Sequence, residues 1–213
     1  MKRALDIACA MVGLAVLAPL MAAIAIAIKM GDAGPVFFSQ GRVGRFGRPF
    51  RMHKFRTMVV NAEQIGHPLT VRDDPRITDA GCWLRRTKLD ELPQLWNVLK
   101  GEMSLVGPRP EMPAYLDQMR RQAPLVLSVR PGITGPASIK YRREEQLLAA
   151  QMDPYAFYDR ALLPDKLRIN EEYVKSHSIL VDVNYLWTTL FPRGQDATHD
   201  FNTPDDEQSL KAA

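Results

Sequence analysis

The sequence predicts an α/β protein that is mostly α-helical and carries a small sheet. Three patterns lead to this prediction: an uncharged apolar segment over residues 7–28, two short runs rich in aromatic and apolar residues after it, and a series of stretches with helical spacing further on. At 213 residues the chain is long enough for one well-buried domain with an appendage.

The apolar segment Ile7–Ile28 has the length of a membrane helix, since about 20 apolar residues cross a bilayer in helical form. It is too long for a signal peptide, whose apolar region has roughly 7–15 residues. Pro19 lies near its middle, removes a backbone donor and clashes with the preceding turn. The segment therefore forms either a kinked spanning helix or a helix–break–helix hairpin that enters and leaves by the same face.

Basic residues flank the apolar segment on both sides. Lys2 and Arg3 precede it and Lys29 follows it. Further arginines come soon after, at Arg42, Arg45, Arg48 and Arg51. Since basic residues mark the cytoplasmic side of a membrane, both ends can lie on that side, and the residues alone leave both topologies open.

Val36–Gln40 and Phe50–Met58 are predicted to be short strands, with Phe50 and Met52 on one face. The stretch between them repeats Gly-Arg-x three times, and its glycine content predicts a turning loop. Such a loop is a solvated basic hairpin or a patch that faces anionic lipid headgroups. An RNA-binding loop is the weakest alternative, because Phe46 and Phe50 alone could stack on bases.

Two helices are predicted within and before the motif RRTKLDELPQLWNVLKGEMSLVGPRPE. The first is Asp79–Thr87, with Trp83 and Leu84 inward. The second begins near Asp90, which is predicted to lie near its N-cap, because Pro93 is tolerated only in a first helical turn. Its predicted buried stripe consists of Leu92, Leu95, Trp96 and Leu99.

The C-terminal half is predicted to contain one turn and several helices. The turn is Val129–Gly135, and the helices are Met112–Gln122, Glu144–Gln151, Pro154–Leu162, Asp165–Ser176 and Ser178–Phe191. Core packing is favoured for the apolar face of the last helix over an in-plane position at a membrane surface, because its polar face lacks lysines and arginines. Residues 194–213 are polar and are predicted to be a disordered tail.

Composition limits function only broadly. The net charge of +4 and the pI near 9.1 favour anionic partners such as phosphates, nucleic acid or lipid headgroups. Cys9 lies in the apolar segment, so a pair with Cys82 is not expected, and the four histidines show no metal-ligand spacing. These features argue against a disulfide framework and a zinc site.

The acidic pair Asp90–Glu91 is the candidate for chemistry. At a helix N-terminus, backbone donors and the helix dipole favour negative charge, so a phosphate can dock beside the pair. One carboxylate can hold magnesium (Mg²⁺) together with substrate phosphate oxygens. The other can attack phosphorus as a covalent nucleophile. For the isolated dipeptide, ordinary helix capping is the commoner use.

The neighbours of the acidic pair favour the chemical interpretation over capping. Arg109 stands between Pro108 and Pro110, and the second proline pushes it into an extended conformation. Its guanidinium fork is suited to bidentate phosphate contact. Other basic residues that can neutralise phosphate charge are Lys54, Arg56, Arg85 and Arg86.

With these motifs the chain resembles the bacterial sugar transferases, in particular the small monotopic phosphoglycosyl transferases. The resemblance runs over about residues 2–190 and rests on KRALDI, the proline-interrupted apolar segment, FFSQGRVGRFGRPFRMHKFRTM, LRRTKLDELPQLWNVLKGEMSLVGPRPE and RPGITGPASI. The chain departs from the family at the break, where Ala18 stands before Pro19 in place of the frequent serine. Alanine has no hydroxyl with which to bond a freed carbonyl.

The resemblance implies transfer of a sugar-1-phosphate from a UDP-sugar to polyprenyl (undecaprenyl) phosphate by a ping-pong reaction. Asp90 is then expected to attack the β-phosphate and release UMP, and Glu91 is expected to be the other catalytic residue and the Mg²⁺ ligand. The expected substrate-binding residues are Lys54, Arg85, Pro108, Arg109 and Pro110.

The resemblance also implies where each part of the chain lies. Residues 1–30 are expected to form a re-entrant membrane helix–break–helix with its break at Pro19, and residues 31–193 a compact cytosolic catalytic domain with interfacial helices. This corresponds to the bacterial inner membrane, with the catalytic domain on the cytoplasmic face near anionic lipid headgroups. No nucleic acid is expected as a partner, and a homodimer stays open.

Two other classes of function stay open on the residues alone. The first is a non-enzymatic, membrane-anchored adaptor that docks a partner through residues 178–191. The second is a basic nucleic-acid-binding protein that uses the Gly-Arg repeats and would bind RNA with a steep salt dependence. Enzymatic activity of the purified protein would argue against the adaptor.

Overall fold

The computed structural model describes residues 1–31, 33–65, 70 and 74–191, with the backbone alone at residue 63. The predicted tail at 194–213 lies outside these residues. Within them the chain is mostly helical, with two small sheets of two strands each. The predicted class, mostly α with a small sheet component, is confirmed.

The described helices and strands follow in chain order. The helices are α1 Lys2–Gly31, α2 Ala62–Ile65, α3 Asp79–Thr87, α4 Gln94–Lys100, α5 Leu116–Gln122, α6 Pro136–Lys140, α7 Glu144–Ala149, α8 Pro154–Phe157, α9 Leu163–Ser176 and α10 Ile179–Leu190. The strands are β1 Phe37–Val43, β2 Pro49–Phe55, β3 Ser104–Val106 and β4 Gly132–Thr134. Shorter helical turns are the 3₁₀ turns Arg45–Gly47, Leu89–Glu91, Pro113–Tyr115 and Pro124–Ser128 and the π-helical turn Tyr158–Leu162.

Helix α1 is continuous through Pro19, so the helix is not interrupted at the predicted break. The helix is long and apolar enough to cross a membrane by length and composition. Both of its halves pack against the rest of the protein. Ala10 packs with Leu95 of α4, and Ile28 packs with Phe55 of β2. The helix therefore lies along the domain instead of projecting away from it.

Strands β1 and β2 form an antiparallel hairpin in which Phe37 lies opposite Phe55. Both predicted strands are present with different ends: β1 continues to Val43, so the glycine-arginine loop is shorter than predicted, and β2 ends at Phe55, three residues before the predicted end at Met58. Met52 is buried and Phe50 packs against the same apolar cluster, as predicted. This hairpin supplies one wall of the site described below.

Helix α3 has the predicted bounds, Asp79–Thr87. Thr78 caps it by accepting a hydrogen bond from the backbone N–H of Gly81 at 3.0 Å. Leu84 faces the core and is 2% exposed, but Trp83, predicted to face inward, is 52% exposed. Neighbouring side chains on a helix diverge by about 100°, so of Trp83 and Leu84 only Leu84 faces the core.

Asp90 does not cap helix α4, contrary to the prediction. The α-helix begins at Gln94 with Pro93 as its N-cap, and Asp90 lies upstream in the 3₁₀ turn. The reason is Lys88, whose left-handed conformation, with φ of +60°, turns the chain out of α3. The N–H of Glu91 then bonds the carbonyl of Lys88 and closes the 3₁₀ turn.

The buried side of α4 is partly polar. Leu95 is buried as predicted, whereas Trp96 is more than half exposed, contrary to the prediction. Asn97 is fully buried, accepts from the N–H of His53 at 3.0 Å and donates to the carbonyl of Arg51 at 2.8 Å. Hydrogen bonds to β2, as well as apolar contacts, therefore fix α4.

The predicted turn Val129–Gly135 contains strand β4, which pairs in parallel with β3. The two chains approach closely at Gly107 and Gly132, where a Cβ added to Gly132 would lie 2.1 Å from the nitrogen of Gly107. Glycine is needed at this position for backbone contact. The Pro- and Gly-rich composition therefore accompanies a strand pair, and the turn prediction is wrong for these residues.

Helix α10 was predicted to pack its apolar face into the core, and this prediction is wrong. Leu180, Trp187 and Leu190 are each more than half exposed. The helix is held instead through Asp182, which is buried and accepts a hydrogen bond from the hydroxyl of Tyr173 on α9 at 2.6 Å. The other predicted C-terminal helices are present with shifted ends.

Candidate active site

Asp90 and Glu91 lie side by side in a buried turn between α3 and α4, and they are 5% and 8% exposed. Lys54, on strand β2, reaches both. Its Nζ lies 2.9 Å from Oε1 of Glu91 and 3.8 Å from Oδ2 of Asp90. The 3₁₀ turn thus directs both carboxylates toward one ammonium, an arrangement that adjacent residues in a regular α-helix do not favour.

Glu91 is held by two cations. Arg109 donates from Nη2 to Oε1 at 2.8 Å and from Nη1 to Oε2 at 3.5 Å, and Lys54 donates to the same Oε1. Burial by itself would raise the pKa of Glu91, but Arg109 and Lys54 outweigh it, so the pKa lies well below its usual value. Glu91 is therefore an anion at neutral pH.

Asp90 differs from its neighbour in its contacts and in the direction of its pKa shift. Its Oδ1 is buried and has no hydrogen-bond partner among the described residues. Burial raises the pKa of Asp90, Lys54 opposes this effect, and the charge of Glu91 adds to it. The result is a more basic carboxylate with one unengaged oxygen, a combination that suits a nucleophile.

The Pro108-Arg109-Pro110 segment is anchored on both sides. The carbonyl of Pro108 accepts from the N–H of Gly132 at 2.8 Å, and that of Pro110 accepts from Arg42 at 3.4 Å. The segment brings Arg109 to the acidic pair, as predicted. In this structure, however, its guanidinium fork is occupied by Glu91.

The remaining predicted basic residues differ in position. Arg85 forms an ion pair with Glu145, although its charge still lowers the pKa of Asp90 slightly against the larger effect of burial. Arg86 is exposed on α3, and Arg56 is buried just beyond β2. Lys54 and Arg109 are therefore the two predicted cations that the structure brings into contact with the acidic pair.

Sequence reasoning missed a buried ion cluster directly after Pro110. Glu111 and Lys166 are both buried and lie 3.0 Å apart, and the hydroxyl of Tyr158 donates to Glu111 at 2.7 Å. Lys166 comes from α9 and Tyr158 from the π-turn. The glutamate at the end of the PRPE motif was the available signal. Its two partners lie about 50 residues further along the chain.

The two carboxylates fit a magnesium ion in part. Mg²⁺ accepts one or two carboxylates together with phosphate oxygens, and Oδ1 of Asp90 has free lone pairs. Oε1 of Glu91 already accepts from Lys54 and Arg109. The described residues contain no group of three Asp, Glu, His or Cys side chains suited to a metal. A bound ion would therefore depend on phosphate oxygens of a substrate.

This arrangement of carboxylates, cations and a proline-flanked arginine lies within a sequence that a family profile recognises. The profile of the bacterial sugar transferases matches residues 1–193. The chain belongs to the bacterial sugar transferase family. The resemblance drawn from the motifs is therefore confirmed.

Curated relatives of the family show the same similarity. A UDP-N-acetylgalactosamine-undecaprenyl-phosphate N-acetylgalactosaminephosphotransferase of Aeromonas hydrophila is 39% identical over 192 residues, which cover 89% of this chain and 42% of the relative. A putative undecaprenyl-phosphate N-acetylgalactosaminyl 1-phosphate transferase of Bacillus subtilis is 45% identical over 123 residues, which cover 58% of this chain and 69% of the relative. A UDP-glucose:undecaprenyl-phosphate glucose-1-phosphate transferase of Escherichia coli is 38% identical over 194 residues, which cover 90% of this chain and 39% of the relative.

The chain thus spans about two fifths of the length of the first and third of these relatives. The matched stretch covers about nine tenths of this chain, so it spans the positions of the acidic pair and its cations. Two of the three names specify N-acetylgalactosamine and the third specifies glucose, so similarity to the family leaves the sugar open.

Proposed function

We propose that this member of the family transfers a sugar-1-phosphate from a UDP-sugar to polyprenyl phosphate, as a first membrane step of a bacterial glycoconjugate pathway. The names of the relatives support an undecaprenyl-phosphate acceptor and a sugar-phosphate donor. The observation that carries the proposal is Asp90. It is a buried carboxylate with an unpartnered oxygen, next to a glutamate that is neutralised by Lys54 and Arg109.

The proposed reaction has two half-reactions. In the first, a carboxylate oxygen of Asp90 attacks the β-phosphorus of the UDP-sugar. The bond from this phosphorus to the bridging oxygen breaks, and UMP leaves with the electron pair. In the second, an oxygen of polyprenyl phosphate attacks the same phosphorus, and Asp90 leaves as a carboxylate. Each half-reaction forms one phosphorus–oxygen bond and breaks another, so no further reactant is needed.

The electrostatics of the site support this assignment of roles. Burial raises the pKa of Asp90 and makes its carboxylate more basic, while Lys54 keeps the ionised form accessible. Lys54 and Arg109 are the proposed phosphate contacts, since charge on the phosphoryl oxygens would lie beside them. Pro108 and Pro110 stiffen the backbone of Arg109.

Glu91 is proposed as the ligand of Mg²⁺, which when bound would neutralise phosphate charge. Substrate phosphate would compete with Glu91 for Arg109 and Lys54, which frees carboxylate lone pairs for the ion. Arg85 is proposed to act at longer range, because Glu145 already holds its guanidinium.

The contacts of α1 support a helix that stays on one side of the membrane. At its first turn Lys2 donates to the carbonyl of Val106 at 2.9 Å, and Arg3 donates to that of Val98 at 2.7 Å. At its other end Ile28 packs in the cluster of Phe55. A spanning helix would carry one end across a hydrocarbon core of about 30 Å, which would require one set of these contacts to break.

The exposed apolar surface supports interfacial helices next to the same membrane face. The three tryptophans of the chain, Trp83, Trp96 and Trp187, are each more than half exposed. Tryptophan is enriched at membrane–water interfaces, and Leu180 and Leu190 add apolar area on α10. We propose the cytoplasmic face of the bacterial inner membrane, where anionic headgroups would meet the basic β1–β2 loop.

The reaction is tested with purified protein, Mg²⁺, undecaprenyl phosphate and a panel of UDP-sugars. One donor should release UMP, and without acceptor the intact mass should rise by one sugar phosphate. Asp90→Asn should abolish this adduct and lower turnover by about 10³-fold or more. Asp117→Asn makes the same chemical change at an exposed position and should have no effect. A fully active Asp90→Asn protein would contradict the nucleophile assignment.

The topology is tested by labelling single cysteines from outside sealed, oriented vesicles. Ala4→Cys and Met30→Cys introduce exposed thiols near the two ends of α1, in a background in which Cys9 and Cys82 are serine. Both thiols should react from the same side as the catalytic domain. Labelling of the two positions from opposite sides would show that α1 spans the membrane.

A further inference from the structure

Lys88 is an exposed cation at the start of the turn that carries Asp90 and Glu91. Its backbone is engaged on both sides, since its N–H donates to the carbonyl of Arg85 at 3.2 Å and its carbonyl accepts from the N–H of Glu91 at 3.3 Å. Its ammonium, by contrast, makes no hydrogen bond or ion pair with any residue that the structure describes.

The backbone of Lys88 is strained in a way that glycine would relieve. Its φ of +60° and ψ of 15° lie in the left-handed region, which glycine adopts freely and a residue with a Cβ adopts at a cost in free energy. Strained residues of this kind often occur at functional sites. The backbone conformation at this position favours glycine, so we attribute the presence of lysine here to a role of its side chain.

Three cations, Lys54, Lys88 and Arg109, surround the two carboxylates of the acidic pair and leave an excess of positive charge. Lys54 and Arg109 are both engaged by Glu91, whereas Lys88 is not. The pKa of Lys88 is lowered, because the surrounding protein displaces part of the water around its ammonium and because Arg109 lies near it, and Glu91 opposes these effects only in part. An added anion would relieve this unfavourable setting.

We propose that the ammonium of Lys88 binds a phosphate group of a substrate beside Asp90, two residues away in the same turn. This inference rests on the proposed function. An ammonium with three donors and no protein partner is suited to phosphate oxygens. The same chemistry is present in two substrates, the diphosphate of the nucleotide-sugar donor and the monophosphate of the polyprenyl acceptor.

The two half-reactions separate these sources in the protein reconstituted into lipid nanodiscs. Donor binding is measured as single-turnover UMP release without acceptor, and acceptor binding as discharge of the preformed adduct by undecaprenyl phosphate. Lys88→Met should raise the half-saturating concentration about tenfold to a hundredfold in at least one half-reaction, as expected for loss of a charge-assisted hydrogen bond. If only UMP release from the donor is affected, the ligand of Lys88 is the diphosphate of the nucleotide sugar. If only discharge of the adduct is affected, the ligand is the phosphate of the polyprenyl acceptor.

Three variants control for folding and for nonspecific loss of charge. Lys88→Gly removes the ammonium and the strain together, so it should match Lys88→Met in binding while its Tm is equal to or above that of the wild type. Lys88→Arg should restore most of the affinity. Lys175→Met removes an exposed lysine on α9 and should change neither half-reaction.

Two results would overturn the inference. One is that the Lys88→Met and Lys88→Gly proteins have the same half-saturating substrate concentrations as the wild type in both half-reactions. The other is an unchanged Kd of the Lys88→Met protein for both inorganic pyrophosphate and inorganic phosphate, measured by calorimetry, which does not depend on turnover. If the wild-type protein shows no turnover, the proposed reaction is contradicted. If it nevertheless binds pyrophosphate more tightly than the Lys88→Met protein does, the role of Lys88 is supported.

Discussion

Replacing Arg109 with methionine tests whether an ion pair holds Glu91 in its anionic form. The substitution removes the 2.8 Å and 3.5 Å contacts to Glu91 and keeps an apolar stem of similar length. Glu91 is 8% exposed and would keep Lys54, at 2.9 Å, as its remaining cation. The variant therefore weakens the pair without leaving a buried charge wholly uncompensated.

The magnitude follows from the geometry. One short charge-assisted hydrogen bond contributes about 1.5–3 kcal/mol, and the long second contact adds little. The side chain of Arg109 is 31% exposed, so solvent screening reduces its contribution. We expect the free energy of unfolding at pH 7 to fall by about 2 kcal/mol, which for a domain of this size lowers Tm by about 4–8 °C.

The pH dependence has a definite sign. Because the folded-state pKa of Glu91 lies well below its ordinary value of 4.5, the stabilisation is fully present above pH 4.5. It is lost as the pH falls through the lower folded-state pKa. The Tm difference between the wild type and Arg109→Met should therefore be constant near neutrality and shrink in that acidic range.

The assay is thermal unfolding of both proteins in the same detergent, followed by tryptophan fluorescence over a series of pH values. Arg120→Met removes the exposed partner of Asp117 and should change the free energy of unfolding by less than about 0.5 kcal/mol. An unchanged Tm of the Arg109→Met protein at pH 7 would refute the reasoning. So would a Tm difference that grows as the pH falls below 4.5.

Two further predictions concern lysines. Lys54→Met should move the acidic limb of the pH–rate profile for UMP release to higher pH, because Lys54 lowers the otherwise raised pKa of Asp90; an unshifted limb would contradict this. Lys2→Met should destabilise the protein by about 2 kcal/mol in chemical unfolding, because Asp182 is buried and loses its cation. Lys29→Met, at the exposed end of α1, should change stability by less than about 0.5 kcal/mol, and equal losses for both would contradict the role of Lys2.

Local patterns predicted much of this protein. The bounds of α3, the β1–β2 hairpin, the N-terminal apolar helix and the grouping of Glu91 with Lys54 and Arg109 all agree with the structure. Caps, helical spacing and strand alternation act over a few residues, so a single sequence contains them. The family motif added the chemical meaning of the acidic pair, which spacing alone leaves as a helix cap.

Other features depend on which surfaces meet. An apolar helix face looks the same in sequence whether it packs into a core or is exposed, and so Trp83, Trp96 and α10 were predicted inward. The strand β4 exists because β3 lies beside it, and the partners of Glu111 come from a distant helix and a π-turn. Such pairings are nonlocal and leave no period in the chain.

By itself, then, the sequence determined the family, the main helices and the residue types of the site, since these follow from local chemistry and motif. Only the tertiary structure decided that Asp90 keeps an unpartnered oxygen while Glu91 is bound by two cations. It also decided that the ammonium of Lys88 has no partner among the residues that the structure describes. The physical reason is that charge state and pairing depend on burial and on distances between residues far apart in sequence.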